Sequence, residues 1–98
     1  MDINNAIKRW AINRGLDKAE PSKQMLKLIE EVGELASGIA KGKKDLIIDS
    51  LGDVYVVLYI LSLQLKLDFE TCVDIAYDEI KDRKGVMKNG IFVKEKDL

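Results

Sequence analysis

The chain has 98 residues, 47% apolar and 34% charged, with 16 basic residues, 17 acidic residues and no histidine. That length allows one domain rather than two, and the charge balance leaves no basic excess to neutralise a nucleic-acid backbone. The absence of histidine excludes Ser-His-Asp and Cys-His catalysis, His-ligated zinc and Glu-x-x-His di-iron sites, so any metal must sit among oxygen ligands, which suits Mg²⁺, Mn²⁺ or Ca²⁺.

The first helix is expected over residues 2–14, with Asp2 as its N-cap, Gly15 as its stop and Ile3, Ile7, Trp10 and Ala11 as its apolar stripe. Residues 16–20 read as a loop, and Pro21 opens a second helix over 21–41, a position that proline tolerates. Met25, Leu28, Ile29, Val32, Leu35, Ala36 and Ile39 follow the helical repeat along it, and Gly42 ends it. A third helix, 44–66, is amphipathic at first and then apolar on every side from Val54 to Leu61. A helix apolar all round needs cover all round, and the rest of so short a chain cannot supply it. A homodimer or homotetramer through this block is therefore expected. Asp68 caps a fourth helix over 69–84, with Phe69, Val73, Ala76, Tyr77 and Ile80 facing in and Gly85 as its stop. Asn89-Gly90 between two short apolar runs predicts a hairpin or extended arm over 86–94.

The expected fold is thus all-α: a four-helix bundle-type protomer over residues 1–98 that oligomerises and carries a short C-terminal hairpin. Met1–Asn5 lack the basic and apolar regions of a signal peptide, and the longest unbroken apolar run falls short of a membrane span. The single Cys72 suits a reducing compartment. These features predict a soluble, cytoplasmic protein with neither membrane nor nucleic-acid polymer as partner.

The chemistry gathers on the second and third helices. At about 100° per residue, Glu31 and Glu34 share one flank of helix two with Gln24, Lys27 and Gly38, while Glu30 lies further round. Asp49 and Asp53 stand one turn apart on helix three, and Asp53 borders the apolar block, where an unpaired carboxylate is costly. The tight Gly42-Lys43-Lys44 connection makes the two helices antiparallel neighbours. Glutamates on a helix flank are ordinarily solvated surface. Carboxylates converging from two helices would instead repel unless a divalent cation sat among them, and such a cation binds phosphate oxygens and activates water.

At this point the residues resemble a known pattern. Glu30-Glu31-Val32-Gly33-Glu34-Leu35 is similar to the Glu-Glu-x-x-Glu signature of the all-α nucleoside triphosphate pyrophosphohydrolases in its MazG-like form. Asp49-Ser50-Leu51-Gly52-Asp53 resembles the second motif of that family, usually Glu-Leu-Gly-Asp, at a fitting spacing. Trp10-Ala11, Arg14-Gly15-Leu16, Gln24 and Lys27 look like the N-terminal parts of small MazG-like proteins. The resemblance implies an oligomeric bundle and Mg²⁺-dependent hydrolysis of an NTP or dNTP to the monophosphate and pyrophosphate, with Mn²⁺ as a substitute cation. Carried over residue by residue, Glu31, Glu34 and Asp53 match metal ligands, and Glu30 matches the acid that orients or deprotonates the attacking water. Ser50 departs from the pattern by occupying the place of a ligand glutamate, so that either Asp49 reaches the metal or Ser50 holds a coordinated water.

Lys81, Arg83 and Lys84 are candidate phosphate-holding groups; cations at a helix C-terminus also simply complement its dipole. Trp10 is a candidate base-stacking residue or a core residue, and Lys27 either reaches a phosphate or neutralises its acidic neighbours. Two alternatives to the enzyme remain at this level: a catalytically weak nucleotide-binding module, which the serine at position 50 suggests, and a structural helical interaction protein.

Overall fold

The computed structural model describes all residues, 1–98. Helix α1 (Ile3–Asn13) starts where Asp2 accepts hydrogen bonds from the backbone amides of Asn4 and Asn5 at 3.0 and 3.3 Å, satisfying donors that the first helical turn leaves free. Gly15 turns left-handed at φ +73°, and a short 3₁₀ turn, Leu16–Lys18, leads to α2 (Pro21–Lys41). Gly42, at φ +64°, closes α2 and feeds α3 (Lys44–Gln64) directly. Asp68 caps α4 (Phe69–Ile80) by accepting from the Thr71 amide at 3.1 Å. Strands β1 (Gly85–Lys88) and β2 (Ile91–Lys94) pair antiparallel, with Asn89 and Gly90 both at positive φ, as a two-residue primed turn requires.

Three boundaries are shorter than the sequence suggests. α1 ends at Asn13, α3 ends at Gln64, and α4 ends at Ile80 rather than Lys84. No residue of α4 is buried, so no packed face extends the helix through Lys81–Lys84. Gly85 opens the first strand instead of stopping the helix. A side chain there would run into the Val93 carbonyl oxygen and the Phe92 ring.

α2 and α3 form an antiparallel helical hairpin, and α1 lies along α3. The buried apolar centre consists of Ile7, Ala11, Tyr59 and Ile60, flanked by Leu16, Val56, Leu63 and Phe69. Tyr59 and Ile60 therefore belong to the protomer's own core, not to an interface. The stripe expected to face inward on α2 splits: Leu28 and Leu35 are half-buried, Met25, Ile29, Val32, Ala36 and Ile39 are exposed, and Glu31 and Gly38 are buried. On α4, Val73, Tyr77 and Ile80 are exposed, and only Phe69 is tucked in, against the rings of Tyr55 and Tyr59.

Only 10 of 98 residues are buried, and the radius of gyration is 16.5 Å, against about 13 Å for a compact chain of this length. α4 and the hairpin account for the excess by standing away from the bundle. α3 is long and apolar enough, by length and composition alone, to cross a membrane, with a mean hydropathy of 1.9 in its most apolar window. α1 and α2 lie along it, and Asp49 and Asp53 occupy its first half, as befits the central helix of a bundle.

Candidate functional site

The seam between α2 and α3 is built by one repeat. Gln24, Leu28, Glu31, Leu35 and Gly38, spaced alternately by four and three residues, are buried or half-buried positions of α2, as are Pro21 and Ser37. On α3, Ile47 abuts Gly38, the Val57 carbonyl accepts from Gln24, and the buried Ser50 and half-buried Asp53 lie between them on the same face. At the closed end, Gly38 leaves so little room that a Cβ there would stand 3.1 Å from Ile47 Cγ1. At the open end, the Gln24 side-chain amide donates to the Val57 carbonyl at 3.4 Å. Glu31 lies midway, opposite the turn that carries Ser50 and Asp53.

Glu31 is 5% exposed, the most buried acid of the chain. Its Oε1 pairs with Lys27 Nζ at 3.2 Å, one helical turn away. Its Oε2 is buried with no hydrogen-bond partner in the protein. Lys27 is raised above the usual lysine range, first by its bond to Glu31 and then by the charge of Glu30. Its Nζ is 3.8 Å from Glu30 Oε1.

Two further carboxylates crowd this centre. Glu34 is raised above the ordinary carboxylate range, chiefly by the charge of Glu31. Asp53 is raised as well, first by burial and then by the charges of Asp49 and Glu31. The side chains do not close on a single point, since no three acids converge to ligating distance as they stand. The donor set nonetheless fits a hard divalent cation: oxygen only, mutually repelling, with one buried carboxylate oxygen left unpartnered.

The other candidate residues lie at varying removes. Glu30 is on the rim, its side chain 60% exposed. Asp49 is exposed and acts on Asp53 through its charge. Ser50 is fully buried, and its Oγ too has no partner in the protein. Trp10 is half exposed rather than in the core, with the Arg14 guanidinium 4.3 Å above its ring. With Ala6, Ile7 and Val56 it lines an apolar cavity of about 290 Å³, and Val56 is one turn along α3 from Asp53. Lys81 pairs with Asp78 at 3.3 Å. Arg83 and Lys84 line an open cleft of mixed charge at the base of the hairpin, with Lys94 and Lys96 beside Glu79, Asp82 and Glu95. None of these basic groups pairs with Glu31, Glu34 or Asp53 within the protomer.

Helical spacing places Glu31 on a flank with Gln24 and Gly38, and the structure makes that flank the inter-helix seam. Gly38, seven residues on, permits the close helix approach, whereas Gly52 has open space around it.

Residues 19–86 match the family model described as the MazG nucleotide pyrophosphohydrolase domain. An uncharacterised 18.2 kDa protein encoded in the rep-hol intergenic region of Haemophilus phage HP1 (strain HP1c1) is 51% identical over 63 residues. That alignment takes in 63% of this chain and 39% of the phage protein, so the chain spans well under half the length of that relative. No solved structure gives a significant match.

Proposed function

The chain belongs to the MazG nucleotide pyrophosphohydrolase family, and on that premise we propose that it hydrolyses a nucleoside or deoxynucleoside triphosphate to the monophosphate and pyrophosphate with Mg²⁺ as cofactor. The observation that carries this reading is the buried Glu31 carboxylate, half satisfied by Lys27 and facing Glu34 and Asp53. Mn²⁺, equally hard in its choice of oxygen ligands, is the expected substitute.

Glu31, Glu34 and Asp53 would hold the cation, with Asp49 at the outer edge. Held there, a divalent cation would supply positive charge to the triphosphate and to the departing pyrophosphate. Lys27 fixes one oxygen of the Glu31 carboxylate, and the second stays buried and free of any protein partner. Glu30, exposed at the rim, is the group assigned to orient water and accept its proton as the new oxygen–phosphorus bond forms and the bond to pyrophosphate breaks. The apolar shelf beside Trp10 offers stacking area to a base and no polar group to read it. Stacking without hydrogen-bond readout favours weak discrimination between bases within the protomer. Lys81, Arg83 and Lys84 are assigned to the phosphates in the assembled protein, since α4 carries them away from the bundle of their own chain.

Pyrophosphate release from a panel of NTPs and dNTPs, with Mg²⁺ and with EDTA, is the decisive assay. Release only with Mg²⁺ is expected; release from no nucleotide would leave a binding module of the same fold.

We further assign a homodimer or homotetramer as the working form. A protomer with so few buried residues and with Ile29, Val32, Ile39, Ile48 and Leu51 exposed presents an apolar surface that a second copy would cover. Sedimentation at micromolar concentration is expected to give two or four times the 11.1 kDa chain mass. A single-chain mass would remove this assignment without touching the carboxylate seam.

A further inference from the structure

α3 contains two buried serines, and they behave differently. Ser62 donates its hydroxyl to the Tyr59 carbonyl three residues back, at 2.6 Å, the usual way a helix disposes of such a group. Ser50 is even more enclosed, at 0% exposure, yet its Oγ makes no hydrogen bond to its own helix or to any other protein group. A buried hydroxyl without a partner is unfavourable, and alanine would serve packing and helix propensity better there. Ser50 also stands three residues before Asp53, on the same face, and the seam register sets it opposite Glu31. Glu31 Oε2 is the other buried atom of the seam without a partner.

We infer that Ser50 is the uncharged member of the cation site, its hydroxyl donating to a water that is shared with Glu31 Oε2 and belongs to the hydration shell of the bound divalent cation. A water in such a place needs two or more polar partners, and these two groups with Asp53 supply them. The consequence is a site of three inner carboxylates and one neutral anchor, tuned toward a cation that keeps part of its water, as Mg²⁺ does. Ser50 is a positioning residue, acting on the cation through that water. This inference rests on the cation-dependent reading of the seam above.

The test is Mg²⁺ titration of the intact protein followed by thermal melting, with no nucleotide present, for the natural chain and for Ser50→Ala. In EDTA the variant is expected to melt no lower than the natural protein, because it sheds an unsatisfied hydroxyl. Its apparent Mg²⁺ Kd is expected to rise by about tenfold, the scale on which groups that orient metal ligands act. Ser50→Cys, similar in size and a poor donor, should show the same loss and covers the case in which Ser50→Ala does not fold. Equal Mg²⁺ affinity in the natural chain and a folded variant would overturn the role of Ser50 while leaving the cation site in place. A natural chain that Mg²⁺ does not stabilise at all would overturn the underlying reading, and this inference with it.

Discussion

Asp53→Asn is expected to lower pyrophosphate release by at least about 100-fold while raising the melting temperature measured in EDTA. The two effects have opposite signs because one carboxylate serves two ends. Asp53 is held in a half-buried seam beside Asp49 and Glu31, and burial with like charge pushes its pKa up. A carboxyl group whose pKa is raised by folding stabilises the fold fully only below its unfolded value, near 4, and that contribution is lost as pH rises through the folded value. At neutral pH the ionised Asp53 therefore works against the metal-free fold, and the amide removes that opposition. It also removes a charged cation ligand. Activity within tenfold of the natural protein would remove Asp53 from the site. A lower melting temperature alongside lost activity would mean that the residue is structural. Glu34→Gln is expected to lose activity similarly, with little change in stability, because Glu34 is exposed to solvent.

Mg²⁺ itself should produce the second large effect. A ligand that binds only the folded protein stabilises it by about 2.7 kcal/mol at a hundred times its Kd, which for a domain of this size corresponds to roughly 10–20 °C in melting temperature. The increment should depend on pH. Glu34 and Asp53 must both be ionised to hold the cation, and both ionise later than ordinary carboxylates. The Mg²⁺-induced shift should accordingly be small near pH 4.5 and grow toward pH 7. Melting curves at saturating Mg²⁺ and in EDTA across that range check both points. A shift independent of pH would place Mg²⁺ elsewhere on the molecule.

Features written in local chemistry were legible from the residues alone. The caps at Asp2 and Asp68, the left-handed stop at Gly42 and the Asn89-Gly90 turn each depend on a few neighbouring residues and stand where those residues predict. The acids of α2 and α3 were also legible as a group, because a short connection forces those helices side by side. Orientation was not legible. Both faces of α2 bear a helical repeat, one apolar and one running through Gln24, Glu31 and Gly38, and burial of the apolar face is the usual outcome. Here the face that meets α3 mixes Leu28 and Leu35 with Gln24, Glu31 and Gly38, and Met25, Ile29, Val32 and Ile39 look outward, toward surface that another chain could cover. The reach of α4 was obscured for a related reason: Lys81, Arg83 and Lys84 are good helix formers, yet nothing within the protomer packs against that end to hold the turn. The roles of individual acids, Glu30 above all, lie beyond what spacing can assign.

The seam between α2 and α3 also carries a consequence for kinetics. Its facing residues are separated by little more than the length of one hairpin, joined by Gly42 and Lys43, so bringing them together closes only a short loop. Contacts of such low order form in microseconds to milliseconds in helical proteins. Glu31, Ser50 and Asp53 can therefore be aligned by a single chain soon after it is made, at a rate independent of protein concentration. Covering the outward face of α2 would be a slower, second-order event. The carboxylate centre would then be the first part of the molecule to mature, before any partner copy arrives.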